Sequence, residues 1–253
     1  MRRDRSAGRA RPARSTRPPA PRPRREAPAA PAAPARVLAR QPWTSLSPWL
    51  EACGADPAPT IERLRLYATA LLEWNRGVSN LVSRHDEPRL VTRHLYESLQ
   101  PAKWMKDTGV ASFVDFGSGA GLPAIPLAIA GVGERWTLVE SRRNKTLFLR
   151  KLVMDLGIGN VSVVTGRLEV LVDGELNGVA VDGFTSRATT SLGPTLQLAA
   201  QVLAHGGRAF LWKGSGLADE MAAAQRSWSA RWAHESTQAL GQGPNTFAVF
   251  RLL

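Results

Sequence analysis

The sequence predicts an α/β fold, a doubly wound and mostly parallel sheet (Rossmann-like) preceded by a small helical module. Three observations predict it. Strand-like and helix-like segments alternate from Ser112 to the C-terminus, and a glycine-rich turn joins the first such strand to the first such helix. Between Thr44 and Leu99 the pattern is helical, which sets the module apart.

Strands are expected at Phe113–Phe116, Trp136–Val139, Val161–Thr165, Val179–Thr185 and Arg208–Trp212, with a last one at Thr246–Leu252. All are short and rich in β-branched or aromatic residues. Helices are expected between them, at Pro123–Ala130, Arg143–Gly157, Ser191–Ala204 and Leu217–Trp232. In the second of these, Phe148, Leu152 and Leu156 recur every fourth residue and so share one face. Further upstream, Thr60 is the expected N-cap of a helix carrying Ile61, Leu64, Ala68 and Leu71 at helical spacing. Trp74-Asn75-Arg76-Gly77 is expected to break that helix, and Glu87–Leu99 to form the next. The resulting division is a tail over 1–42, a helical module over 43–110 and a sheet domain over 111–253.

The net charge of +12 over 253 residues suggests a nucleic-acid partner until it is mapped. Residues 1–40 hold twelve Arg against Asp4 and Glu26, so +10 sits there and only +2 on the remainder. That segment is Arg, Pro and Ala with no large apolar residue between Met1 and Val37, and it is expected to be disordered. Two readings of it stay open: a basic arm on RNA phosphates, and a solvated tail or misassigned start without function. The remainder can build a full core, since 43% of the chain is hydrophobic. No apolar run approaches the roughly eighteen residues of a membrane span, and the N-terminus lacks a secretory h-region. The single cysteine, Cys53, excludes a disulfide framework and a four-thiolate zinc site. A cytoplasmic protein with no structural metal is the expectation.

The strongest chemical signal is Val114-Asp115-Phe116-Gly117-Ser118-Gly119-Ala120-Gly121, which ends a predicted strand and opens a helix with Pro123 in its first turn. Glycines at this spacing let the backbone turn sharply and approach a ligand closely. Position 122 is Leu, where a dinucleotide fingerprint needs its third glycine, so NAD is disfavoured. The loop suits a ligand lying flat across it, such as the methionine and ribose of S-adenosylmethionine (SAM). Glu140, at the end of the next strand, can accept hydrogen bonds from both ribose hydroxyls. Its bland alternative is a solvated strand end. Gly166-Arg167-Leu168-Glu169, after the third strand, is placed to reach an adenine, with Leu168 packing on the base.

Absences narrow the chemistry further. No Asn-Pro-Pro-Tyr or Asp-Pro-Pro-Tyr follows the fourth strand, which disfavours methylation of an exocyclic amine. Cys53 lies in the helical module, away from the sheet, which disfavours a thiolate adduct to a pyrimidine. Arg187, at the end of the fourth strand, is a candidate contact for substrate or cofactor carboxylate, or else a salt bridge to a neighbouring loop. Lys213 stands equally for an RNA phosphate contact and for neutralising a loop. His94 reads as a packed helix residue before it reads as a catalyst.

From about Trp74 to Leu253 the chain resembles the bacterial 16S rRNA guanine-N7 methyltransferases of the GidB/RsmG type. The resemblance lies in Trp74-Asn75 with Asn80-Leu81, in His94-Leu95-Tyr96-Glu97-Ser98-Leu99, in Asp115 to Pro126 and in Leu138-Val139-Glu140-Ser141. It continues in Asn144-Lys145 with Phe148-Leu149, in Ser186-Arg187-Ala188 and in Lys213-Gly214. It implies a class I SAM-dependent methyltransferase fold with a helical N-terminal extension and a target guanine in the 530 loop. Carried over by position, Gly117, Leu122, Leu168, Glu169 and Arg187 would contact SAM. Gly119 and Glu140 join them from the residue reading above. The chain departs from the family at Ala124, where a glycine is usual, and at Glu97 and Glu140, where aspartate is common. The partner implied is 16S rRNA or a small-subunit precursor.

N7 of guanine carries an in-plane lone pair and no proton, so no general base is expected, and no catalytic residue is singled out. A SAM enzyme of another substrate and a non-catalytic RNA-binding assembly factor with the same fold remain the alternatives.

Overall fold

A computed structural model describes residues 33–228 and 230–253; the Arg/Pro-rich stretch through residue 32, where the disordered tail is expected, lies outside the described residues. The chain begins with α1 (Pro34–Ala39), a three-ten turn (Trp43–Leu46), α2 (Ser47–Ala52) and α3 (Pro57–Gly77). A three-ten turn (Glu87–Arg89), a π-helical stretch (Leu90–Leu95), α4 (Tyr96–Leu99) and α5 (Ala102–Asp107) follow. Alternation then sets in with β1 (Ser112–Phe116), α6 (Ala124–Ile129), β2 (Arg135–Glu140), α7 (Arg143–Asp155), β3 (Val161–Thr165) and α8 (Leu168–Leu171). It continues through β4 (Val181–Arg187), α9 (Leu192–Val202), β5 (Leu203–Lys213) and α10 (Leu217–Trp228), and closes with β6 (Trp232–Ala239) and β7 (Thr246–Leu252).

The seven strands run in the order β3-β2-β1-β4-β5-β7-β6. Pairings from β3 across to β5 are parallel, and β7 pairs antiparallel with both β5 and β6. Strand order therefore reverses between β1 and β4, and a crevice opens there beyond the carboxyl ends of the strands. One face of the sheet buries Phe113, Trp136, Phe210 and Phe247 against α3, α6 and α7, with the Phe113 and Trp136 rings stacked at 4.3 Å. The other face buries Phe184, Leu211 and Phe250 against α8, α9 and α10.

Five expectations need correction. The tail does not extend to residue 42: α1 is helical, Leu38 is buried, and the Gln41 side chain donates to the Glu87 carbonyl and accepts from Val91 N. Nor is the module a separate core, because Leu64, Leu71 and Leu95 share one apolar cluster with the sheet. Helix α3 starts earlier and ends later than expected. Asp56 caps it by accepting from Ala58 N at 3.1 Å, with Pro57 at the first position, so Thr60 lies inside. It runs through Trp74–Gly77 because Leu71, Leu72 and Asn75 are buried together, and Asn75 Oδ1 then takes Leu81 N and Val82 N of the next turn.

The helix expected over Glu87–Leu99 is instead the three-ten, π and α succession above. The last correction is β6: the sequence predicts no strand between the helix at Leu217–Trp232 and the strand at Thr246–Leu252, and that helix stops at Trp228. Only Trp232 and partly Ala233 and Ser236 are shielded in this edge strand, so no alternation of apolar residues announces it. Pairing with β7 creates it. Among the described residues, no helix is long and apolar enough to cross a membrane.

Candidate active site

The loop after β1 is built by its own backbone. Gly117 N and Ser118 N both donate to Val139 O, at 2.9 and 3.1 Å, which folds the loop back over β2. Gly117, Gly119 and Gly121 all have positive φ, at 71°, 57° and 87°, so an L side chain would strain each. At Gly121 a Cβ would also run into Ile125, and at Gly117 into Thr189. Above Gly119 a Cβ would meet no clash, its nearest neighbours being Gly117 O at 3.7 Å and Lys145 Nζ at 3.8 Å. The helical module reaches this loop through Tyr67, whose hydroxyl donates to Ala120 O at 2.9 Å; burial pushes that phenol far above its ordinary pKa, so it stays a donor.

Glu140 sits against the same loop. One carboxylate oxygen accepts from Gly119 N at 2.9 Å and the other from Arg142 N at 2.8 Å. The structure thus joins the two strongest sequence signals, 21 residues apart, by a direct bond. Each carboxylate oxygen keeps a second lone pair for a ligand hydroxyl. Beside it a cleft of about 210 Å³ lies between Phe116, Gly117, Val139, Ser141, Gly166, Arg167 and Glu169. Leu168 is placed differently from expectation. Its side chain is fully enclosed in the apolar cluster, so only its backbone is left to meet a base. Leu122 is half-buried against the other cluster and precedes the cis peptide to Pro123.

Asp115 is the residue that sequence reasoning passed over, although it stands inside the quoted motif. It is buried, its Oδ1 accepts from the Thr185 hydroxyl at 2.7 Å, and its Oδ2 has no hydrogen-bond partner among the described residues. Burial pushes its pKa up to about 6, against the hydrogen bonds from Thr185 and Ser118. A buried carboxylate oxygen without a partner is costly, and a cationic ligand group would satisfy it.

Arg187 and Lys213 lie on the other side of the crevice, and both have protein partners. Arg187 Nη2 forms a short ion pair with Glu97 and lies 3.4 Å from His94 Nδ1, while Nη1 donates to His94 O at 3.2 Å. Glu97 is itself buried. Its other oxygen accepts from Asn245 Nδ2 at 2.8 Å, and its carbonyl accepts from Trp212 Nε1 at 2.8 Å. The salt-bridge reading of Arg187 is what the geometry shows, and no spacing in the sequence pairs residues 90 apart. Burial and then Arg187 push the His94 pKa down to about 4, so the ring is neutral near pH 7. Lys213 Nζ donates to Thr190 O at 2.7 Å and pairs with Glu220 at 2.8 Å, which neutralises the loop after β4.

A glycine loop clasped by a strand-end acid, at the reversal point of a 3-2-1-4-5-7-6 sheet, defines a class I SAM-dependent methyltransferase. The cleft beside Glu140 and the unsatisfied Asp115 oxygen fit SAM, which carries a ribose, a base and cationic groups. Solved structures share the fold. Cofactor-bound Rv0187 from MTB superposes with a TM-score of 0.55 at 18% identity, over 84% of this chain and 99% of that one. The O-methyltransferase TomG from Streptomyces achromogenes, in complex with SAM, gives 0.52 at 14% identity over 76% of this chain and 89% of its own.

Within that class the chain belongs to the GidB family, rRNA small subunit methyltransferase G, which matches residues 60–246. The ribosomal RNA small subunit methyltransferase G of Stenotrophomonas maltophilia (strain K279a) is 36% identical over 187 residues, which is 74% of this chain and 84% of the relative.

Proposed function

We propose that this protein methylates N7 of a guanine in the 530 loop of 16S rRNA, acting in the cytoplasm on that RNA or on a small-subunit precursor. The observation that carries the reading is the Gly119–Glu140 clasp beside the cleft, in a chain of the GidB family. SAM supplies an electrophilic methyl group on a sulfonium. The chain's residues hold and orient. Glu140 takes the ribose with its remaining lone pairs, Gly119 presents no side chain to it, and Gly166 to Glu169 bound the base. Asp115 offers its unpartnered oxygen to a positive group. Arg187, held by Glu97, stiffens the far wall of the crevice.

No side chain need remove a proton, because guanine N7 has none to lose; what remains is alignment and exclusion of water. The neutral His94, engaged by Arg187, is consistent with that. A guanine whose N7 reaches the crevice has to be unpaired or splayed out of its helix.

The test is chemical. N7-methylguanosine carries a fixed positive charge and a labile glycosidic bond, so borohydride followed by aniline should cut 16S rRNA at one site, and only after treatment with the protein and SAM. Methylated RNA that resists cutting would refute the N7 assignment. Absence of transfer to any rRNA, with SAM still bound, would point to the assembly-factor alternative.

A further inference from the structure

Five basic residues crowd the sequence between Arg142 and Lys151, and the fold separates them into two kinds. Lys151 is paired with Asp155 at 2.8 Å, and Arg150 donates to Val163 O and to the Thr165 hydroxyl. Arg142, Arg143 and Lys145 form no ion pair among the described residues. These three line a pocket of about 450 Å³ with Ser79, Asn80 and Asn144. Every one of the six side chains can donate a hydrogen bond, none is a carboxylate and none is apolar.

Two further features make the pocket an anion seat. It lies at the start of α7, a 13-residue helix whose first turn has no acidic residue and no side-chain cap; Glu140 meets only the N–H of Arg142, the residue before that turn. Ser79 Oγ, on the wall contributed by the segment after α3, is buried and has no hydrogen-bond partner among the described residues. The pocket borders the candidate active site, since Lys145 Nζ lies close above Gly119 and Arg142 N is bonded to Glu140. Outside residues 1–40 the net charge is only +2, so three unanswered cations in one pocket are a large local excess.

We infer that this pocket seats backbone phosphates of the rRNA strand that carries the target base. The inference rests on the rRNA reading above. Phosphate contacts position a strand without reading its sequence. Here they would hold the strand beside the cofactor cleft while the crevice between β1 and β4 receives the base.

The experiment compares the full-length protein with an Arg142→Gln/Arg143→Gln variant, using a 16S rRNA transcript as ligand over a series of salt concentrations. Both arginine side chains are exposed and neither supports the core, so SAM affinity and thermal stability should not change. Loss of two phosphate contacts should make log K fall less steeply with log salt, by roughly 1.4–1.8 in slope. That corresponds to roughly 25- to 60-fold weaker RNA binding near 0.1 M salt. A control variant, Lys103→Gln/Arg135→Gln, removes the same net charge away from the pocket and should bind within about twofold of the parent. Parallel salt slopes for parent and pocket variant, or an equal loss in the control, would overturn the inference. So would equal loss of binding to inorganic phosphate with rRNA binding intact, which would make the pocket a free-phosphate site. Parent protein that binds rRNA through this pocket yet methylates none would sink the functional reading and leave the pocket standing.

Discussion

The two walls of the crevice are held in different ways. On the cofactor side, the glycine loop, Glu140 and the start of α7 are close in sequence and are tied mainly by backbone hydrogen bonds. On the far side, Glu97 gathers Arg187, Trp212 and Asn245, which are 90, 115 and 148 residues away. The first wall is local and carries its ligand contacts on the surface of a turn. The second is a buried polar hub that joins the helical module to β4, β5 and the β6–β7 turn. A local wall can lose a side chain and keep its fold, whereas a hub leaves several groups stranded when its centre is removed.

That contrast gives the largest expected effect. Glu97→Ala would leave Arg187 buried without its carboxylate and Asn245 without its acceptor, and should cost roughly 3–5 kcal/mol of stability in denaturant unfolding. A loss below about 1 kcal/mol would show that the hub is not structural. On the local wall, Glu140→Ala should cost roughly 1.5–3 kcal/mol, on the scale of hydrogen bonds to a charged group, and calorimetry should find that loss in SAM affinity while most of the stability remains. If Glu140→Ala unfolded the protein and Glu97→Ala did not, the comparison would be reversed.

Asp115 sharpens the comparison through pH. Its folded pKa of about 6 is raised, so its contribution to stability is full below the ordinary carboxylate pKa and is lost as pH rises through 6. Without cofactor, Asp115→Asn should therefore be relatively more stable above pH 6 than below pH 4, by up to about 3 kcal/mol across that window. If the ionised carboxylate meets a cationic group of SAM, parent affinity should be constant above about pH 7 and drop about tenfold per unit below 6. The Asn variant should bind weakly at every pH. Flat affinity from pH 5 to pH 8 in the parent would remove Asp115 from the cofactor site.

The smallest effects are expected in turnover and at the rim. With His94 titrating near 4 and Asp115 near 6, neither changes charge above about pH 7. The single-turnover methylation rate should therefore be flat from about pH 7 to pH 8.5. A tenfold slope abolished by His94→Gln would restore a general base. Arg208 and Arg251, which share Glu235 at 2.8 and 3.0 Å near the β6 edge, are partly exposed. Replacing either with Gln should change stability by less than about 1 kcal/mol.

What the sequence determined by itself is what adjacent residues can encode. The spacing of glycines that must turn with positive φ, the strand before them and the acid ending the next strand all lie between Val114 and Glu140, and each was legible from residue type and spacing. The doubly wound, mostly parallel sheet followed from alternation, because most strands and crossover helices announce themselves over five to fifteen residues. The tertiary structure alone decided the partners. An arginine at a strand end reads the same whether it meets a cofactor or a glutamate 90 residues earlier, and the ion pair between α4 and the end of β4 settled it. Leu168 reads as a surface for a base until the sheet closes over it. Strand β6 has too few apolar residues to be seen before β7 pairs with it. The free energy of these contacts resides in burial and in charge pairing across the fold, which no window of sequence contains.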